Sequence, residues 1–332
     1  MGYKYVFGPV HSGRLGLSLG LDLVGDAICS LDCIYCEVGK TTCLTTERKA
    51  YVPAADILAE LADWKTRAPQ HPDFVTLGGQ GEPTLNSEMG AVIHGVKKLF
   101  PNTPVAVLTN STLFYDEDVR TELLEADVIL PSIDTLVPAE MRHVNRQHAS
   151  LDVHKLTSGL LAFKKQFTGK IYLEVLLVKG VNDSDENRTL LREFIAELRP
   201  DRVDVVTMTR PGTMRAASPV SAEQLSLWKK ELSSAASADA DCQHTVACRN
   251  AQDILEDDGE TDLENGRELP LPTAMELILN SVSRRPQTAP QLATALEIAL
   301  HVVDEALLQL EKDNQILFRL EGDDKFFSAV RE

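Results

Sequence analysis

No run of about 18 apolar residues occurs in the 332-residue chain, which excludes a membrane-spanning helix of the usual kind. The amino terminus, MGYKYVFGPV, lacks a charged head, an apolar core and a small-residue cleavage site, so the sequence predicts a cytoplasmic protein. Cysteine is scarce. Six in a chain of this length cannot form a disulfide scaffold, and in a reducing compartment clustered thiols hold metal or do redox chemistry. A basic excess is also missing, because the formal charge is −17 and no segment carries the surplus of Lys and Arg that drives nucleic-acid binding. No internal repeat is visible beyond an alternation of strand and helix patterns.

What remains is an ordinary globular composition, 43% hydrophobic and 25% charged, in a chain long enough for one large domain and one small one. The first 240 residues alternate β-branched apolar runs with amphipathic ones. LGLSLGLDLV, DFVTL, PVAVLTN, DVILPS, KIYLEVLLV and RVDVVTM predict six buried strands, and a helical pattern lies between each pair. That alternation implies right-handed crossovers and a parallel sheet. The expected fold class is therefore α/β, a partial six-unit parallel β/α barrel over residues 1–240, with its chemistry at the carboxyl ends of the strands.

Residues 241–268 carry 9 acidic and 2 basic side chains with little periodicity, which predicts a solvated acidic linker. Residues 269–332 then read as three helices and two strands, the order of a winged helix-turn-helix. Its third helix displays Asp304, Glu305, Glu311 and Asp313, a poor surface for phosphate. A protein partner or self-association through 269–332 is the expectation, with DNA binding the alternative.

The stretch CSLDCIYC puts Cys29, Cys33 and Cys36 directly after the first predicted strand, spaced C-x3-C-x2-C. Three thiolates spaced in this way can occupy three corners of an iron-sulfur cubane and leave one iron without a protein ligand. Structural zinc would want a fourth ligand, and no second C-x2-C pair exists. A thioredoxin-type dithiol would use Cys33 and Cys36 and leave Cys29 unexplained.

This spacing, with Tyr35 before the last cysteine and a parallel strand-helix array around it, resembles the radical S-adenosylmethionine superfamily. YVFGPVHSGRLGLSLGLDLV, CSLDCIYCEVGKTT, GGQGEPTLN, HVNRQH and VTMTRPGT are similar to landmarks of its iron-sulfur oxidoreductases related to tRNA wybutosine-synthesis enzymes. Those enzymes carry further cysteines upstream of the first motif, and nothing before Cys29 here is cysteine. The resemblance implies a [4Fe-4S] cluster whose open iron is chelated by S-adenosyl-L-methionine. It also implies an electron donor such as flavodoxin or ferredoxin, and reductive cleavage to a 5′-deoxyadenosyl radical that abstracts hydrogen. Orientation, low potential and exclusion of water are the protein's share.

On the same resemblance the cofactor-binding residues would be Tyr35 together with the glycine-rich turn TLGGQGEPTLN, whose Gly78, Gly79, Gly81 and Glu82 would hold the methionine amino group, and Asn110 and Ser132, which would meet the ribose and carboxylate. Thr109 and Asp134 stand at the same strand ends, where turn-forming residues also serve local roles. Lys179 and Arg210 close the last two strands as cations, suited to a carboxylate or phosphate or simply solvated. Arg142, His143, Arg146 and His148 form the one noticeable positive concentration. Cys43, Cys242, His244 and Cys248 could form a second metal site if the linker folds back. A redox-responsive iron-sulfur regulator that reads DNA through residues 270–332 is the reading of a different class.

Overall fold

The computed structural model describes residues 3–67, 71–236, 266–322 and 324–330. Seven strands form the main sheet: β1 (Val6–Ser12), β2 (Gly16–Asp22), β5 (Phe74–Gly78), β6 (Val105–Thr109), β7 (Val128–Pro131), β8 (Lys170–Leu177) and β9 (Arg202–Thr207), ordered β1-β2-β5-β6-β7-β8-β9. From β5 to β9 every neighbouring pair is parallel. Two short strands, β3 (Ile28–Cys29) and β4 (Cys43–Leu44), pair separately and in parallel. All six predicted strands are present. β1 escapes the periodicity because VFGPVHS is interrupted by glycine and proline.

Contacts divide the chain into two compact units, one of Tyr3–Val6 and Gly20–Ala238, the other of Met1–Gly2, Phe7–Leu19 and Asp239–Glu332. In the first, the strands alternate with helices α1 (Ala54–Arg67), α2 (Met89–Leu99), α3 (Glu117–Leu123), α4 (Pro138–Val144), α5 (Val153–Lys164), α6 (Asp185–Leu198) and α7 (Ala222–Ala236). Caps set several starts: the Asp152 carboxylate accepts from Lys155 N at the head of α5, and the Ser184 hydroxyl from Asn187 N at the head of α6. β8 shows why the sheet is stable. Ile171, Leu173, Val175 and Leu177 are wholly buried on one face, while Tyr172, Glu174 and Leu176 alternate on the other and remain partly open. An open, parallel half-barrel results, with its functional loops at the carboxyl ends of the strands.

In the second unit, α8 (Leu271–Val282), α9 (Ala289–Leu296) and α10 (Leu300–Lys312) precede an antiparallel pair, β10 (Ile316–Glu321) and β11 (Asp324–Ala329). Thr288 and Gln291 cap α9 reciprocally, with Pro290 inside its first turn. Ile278, Leu292, Val303, Ala306 and Leu310 make the core of this unit with Phe327. Its amino-terminal segment joins through the Arg284 guanidinium, 4.2 Å above the Phe7 ring, and the His11 Nε2 to Glu297 Oε1 contact at 2.7 Å. Among the described residues no helix is long and apolar enough to cross a membrane.

Candidate functional site

Cys29 ends β3, and the loop after it is held by two segments far away in sequence. Asp32 N donates to Asn145 O and Ile34 N to Val144 O, each at 2.9 Å, while His148 N returns a bond of 2.9 Å to Ser30 O. From the other side Met214 N donates to Ile34 O at 3.0 Å and the Thr213 hydroxyl to Cys33 O at 3.0 Å. Gly212 makes this second approach possible, since a Cβ there would stand 2.6 Å from both Ile34 O and Tyr35 Cα. The segment that follows α4 and the segment that follows β9 thus clamp CSLDCIYC in place.

The Cys29 and Cys33 sulfurs accept hydrogen bonds. The Cys29 sulfur takes the Asn110 side-chain amide at 3.3 Å and Leu31 N at 3.4 Å, and the Cys33 sulfur takes the Asn145 amide at 3.4 Å. At Cys36 the backbone N–H groups of Val38 and Gly39 oppose the rise that burial causes in its thiol, and Gly39 N donates to Cys36 O at 3.4 Å. Burial, then the nearby Glu82 charge, pushes the Cys29 thiol up to about 12, and burial followed by Asp134 raises Cys33 well above its usual value. Burial also raises Cys36. As free thiols these groups stay protonated at neutral pH, and cationic metal is what would release their protons.

The donor set fits a cubane. N–H groups aimed at sulfur are the contacts that tune cluster thiolates. Among the described residues no three His, Cys, Asp or Glu side chains converge on a single ion. Three thiolates that each take a different corner of a cubane need not meet at one point, whereas a tetrahedral zinc requires it.

The glycine-rich turn abuts this loop. A Cβ on Gly81 would lie 2.0 Å from Ile28 O, and Gly79, at φ +130°, has no room beside Asp22. Gly78 is under no such constraint: its nearest neighbour, Leu108 Cβ, would be 3.7 Å away. Glu82 N completes the junction with a 3.0 Å bond to Ile28 O. The Glu82 carboxylate is 2% exposed, and Oε1 accepts from Thr84 N, the Thr84 hydroxyl and the Thr109 hydroxyl. Oε2 accepts from Asn110 N at 2.8 Å, leaving that oxygen one acceptor position. Burial raises this carboxyl, and the four hydrogen bonds oppose the shift. Glu82 therefore ties the ends of β5 and β6 together behind the cysteines.

Asp134 and Tyr35 form a second tie. The Tyr35 hydroxyl donates to Asp134 Oδ2 at 2.5 Å, the Asn145 amide to the same oxygen at 2.6 Å, and Leu176 N to Oδ1 at 3.0 Å. Burial nevertheless raises the Asp134 carboxyl to about 6. The Ser132 hydroxyl donates to Glu174 Oε1 at 3.3 Å on the partly open face of β8. Arg210 meets Glu37, immediately after Cys36, at 3.1 Å. Lys179 is exposed, and its backbone N–H bonds Ser218 O.

Arg142 and His143 are exposed on α4, and the Arg146 guanidinium lies 3.8 Å from Asp32. The backbone of that basic segment, more than its charge, is what reaches the cysteine loop. His148 stands against Ser150, its Nδ1 2.9 Å from the hydroxyl. Cys43 is exposed on β4, beside β3. Cys242, His244 and Cys248 lie outside the described residues, as does most of the acidic linker. Asn145, Glu37, Glu174 and Thr213 are site residues that pattern reading misses. Asn145, Glu37 and Thr213 lie inside HVNRQH, CSLDCIYCEVGKTT and VTMTRPGT, and only Glu174 carried no signal beyond its strand.

The chain is similar to several known proteins. The family described as the radical SAM superfamily matches residues 27–192. A UPF0026 protein of Synechocystis sp. is 38% identical over 210 residues, 63% of this chain and 77% of that protein. A UPF0026 protein of Methanocaldococcus jannaschii is 31% identical over 64% of this chain and 66% of that protein. A protein named GTPase Obg, from Brachyspira hyodysenteriae, is 30% identical over 315 residues. That match takes in 94% of this chain, which spans 43% of the length of the Brachyspira protein. Among solved structures, a radical SAM methyltransferase from Sphaerobacter thermophilus has 15% identity and a TM-score of 0.49, over 66% of this chain and 63% of that one. TYW1 with a lysine-pyruvate adduct bound gives 13% and 0.49 over 65% and 72%.

Proposed function

Because this chain belongs to the radical SAM superfamily, whose members use a [4Fe-4S] cluster and S-adenosylmethionine, we propose that Cys29, Cys33 and Cys36 hold the cluster and that the protein cleaves S-adenosylmethionine reductively. Held there, the cluster and cofactor would supply the radical chemistry of hydrogen abstraction from an unactivated carbon. The observation that carries this reading is that the Cys29 and Cys33 sulfurs accept N–H donors, with Cys36 beside them in a loop fixed on both flanks by backbone bonds.

The remaining residues bind and orient. Gly79 and Gly81 bring the glycine turn against the cysteine loop, so that backbone carbonyls and the free acceptor position of Glu82 Oε2 can meet the methionine ammonium. Asn110 and Ser132, at the ends of β6 and β7, serve the ribose and carboxylate, and Tyr35, anchored on Asp134, orients the loop. Arg210, paired with Glu37, neutralises an acid beside Cys36. The substrate, an RNA nucleoside, a peptide or protein side chain, or a small metabolite, would lie over the open face of β8 near Glu174 and Leu176. Oxidoreductase or lyase chemistry in the cytoplasm would follow.

We assign the second unit to a winged-helix role in protein contact or self-association. Asp304, Glu305 and Asp313 on and after α10 are exposed, and a groove-reading helix would have to press them against phosphate. That charge is what disfavours the DNA-binding regulator, which also has no use for a glycine turn docked on the cysteines.

Anaerobic reconstitution with iron and sulfide, then reduction with S-adenosylmethionine present, tests the proposal. Accumulating 5′-deoxyadenosine supports it, and the loss of that product in Cys36→Ala, with the fold retained, assigns the ligand. Intact cofactor after full cluster reduction would refute it.

A further inference from the structure

In the second unit one sheet edge is open. β10 and β11 pair without a skipped residue, from Ile316 with Ala329 to Glu321 with Asp324. Val330 N donates to Gln315 O at 2.9 Å, so Leu317, Arg319 and Glu321, in step with Gln315, are the residues that bond β11. Ile316, Phe318 and Leu320 alternate with them and turn their N–H and C=O groups to the opposite side. Phe327, the register partner of Phe318, has the same phase on the other strand: its outward N–H and C=O both bond Gln287, at 2.8 and 3.0 Å. Nothing similar covers β10, which among the described residues has no second sheet neighbour. The side chains along this edge are apolar and open, with Leu317 53%, Phe318 44% and Leu320 63% exposed. Its charges are already matched, Arg319 with Glu321, and Lys325, 3.9 Å above the Phe318 ring, with Glu311 at 3.2 Å. Proline, lysine and a bulge, the usual guards of an edge strand, are all missing from β10.

We infer that β10 is a self-association edge, which pairs antiparallel with β10 of a second copy of this chain. The inference deepens the protein-contact reading of this unit and rests on it. Self-complementarity selects the occupant. With Phe318 opposite Phe318 of the second copy, Ile316 meets Leu320 and Leu317 meets Arg319, so every outward residue exchanges both its bonds with an outward residue. Phe318 and Leu320 then form one apolar face with their counterparts, continuous with Ile316 in the core. No like charges oppose one another in this register, whereas a centre on Arg319 would set two guanidinium groups face to face. Pairing of strands this short buries less than the about 1,200 Å² of a standard interface. The dimer therefore dissociates at micromolar concentrations.

Sedimentation of the full-length chain from about 1 to 200 µM, with amide hydrogen exchange at both ends of that range, is the test. The wild type should pass from monomer to dimer while the Phe318 and Leu320 amides gain protection. Added salt should not weaken the dimer, because two copies of charge −17 repel each other and salt screens that repulsion. Two variants act on the edge alone: Leu320→Lys charges the apolar face, and Phe318→Pro removes an outward N–H that β11 does not use. Each should weaken dimerisation at least about tenfold while the Leu317 and Arg319 amides stay protected by β11. A chain that remains monomeric throughout, with the Phe318 and Leu320 amides open, overturns the inference and leaves the edge to a different protein. So does a monomer in which those amides are protected at the lowest concentration, since the edge is then covered from within the chain, and so does a dimer that both variants leave intact. Tight binding of a DNA duplex, unchanged in either variant, would instead sink the protein-contact reading beneath it, whatever the sedimentation shows.

Discussion

The Tyr35 hydroxyl donates to Asp134 Oδ2 across 2.5 Å, so the aromatic inside the cysteine loop is fastened to the residue that follows β7. The same oxygen accepts the Asn145 amide, which also reaches the Cys33 sulfur. One buried carboxylate thus sets the position of two elements that meet the cysteine loop.

Removing only the hydroxyl should loosen the loop without unfolding the barrel. Tyr35→Phe is expected to cost about 1–3 kcal/mol, the usual penalty for stripping one partner from a buried charged acceptor. Urea unfolding of the metal-free protein measures this, and an unchanged midpoint would show that the bond contributes nothing.

Asp134 also predicts a pH dependence. Its folded-state carboxyl stands at about 6, above the ordinary 3.8, because of burial. The folded state therefore holds the proton more tightly than the unfolded chain, and stability falls as pH rises between those two values. The loss is on the order of 2–3 kcal/mol. Asp134→Asn should flatten the profile of the metal-free protein in that window, and a wild-type profile already flat there would contradict the assignment.

The glycine turn divides sharply by position. Gly81→Ala would drive a Cβ to 2.0 Å from Ile28 O, whereas Gly78→Ala would place one at an ordinary 3.7 Å from Leu108 Cβ. The first should cost roughly 3 kcal/mol or more and reduce the iron retained; the second should stay within about 1 kcal/mol. Thermal melts and iron analysis of the two proteins give the comparison.

Hydrogen bonds to sulfur stabilise the more negative, reduced cluster. Asn110→Ala and Asn145→Ala should each shift the reduction potential to more negative values. A redox titration followed by electron paramagnetic resonance reads the shift, and a positive change in both would remove the asparagines from this role.

The half-barrel is legible in the sequence because β5, β6 and β7 are short, mostly buried apolar runs and β8 alternates a buried apolar face with a partly open one. β1, with its internal Gly8 and Pro9, and the two-residue β3 and β4 leave no such trace. Cysteine and glycine spacing locate the centre of the site, since both act within one short loop. Asn145 on Cys33, Thr213 on Cys33 O and Glu37 on Arg210 join residues more than 100 positions apart, and no local pattern encodes that approach. Arg210 illustrates the consequence: as a sequence feature it is a cation at a strand end, and only the fold supplies the acid that engages it.

The account depends on three cysteines sharing one inorganic core, which iron and acid-labile sulfide analysis of anaerobically reconstituted protein tests most directly. It predicts about four irons and four sulfides per chain, falling sharply in each of Cys29→Ala, Cys33→Ala and Cys36→Ala. Zinc without sulfide, or a full complement of iron and sulfide in any of those three variants, would contradict it.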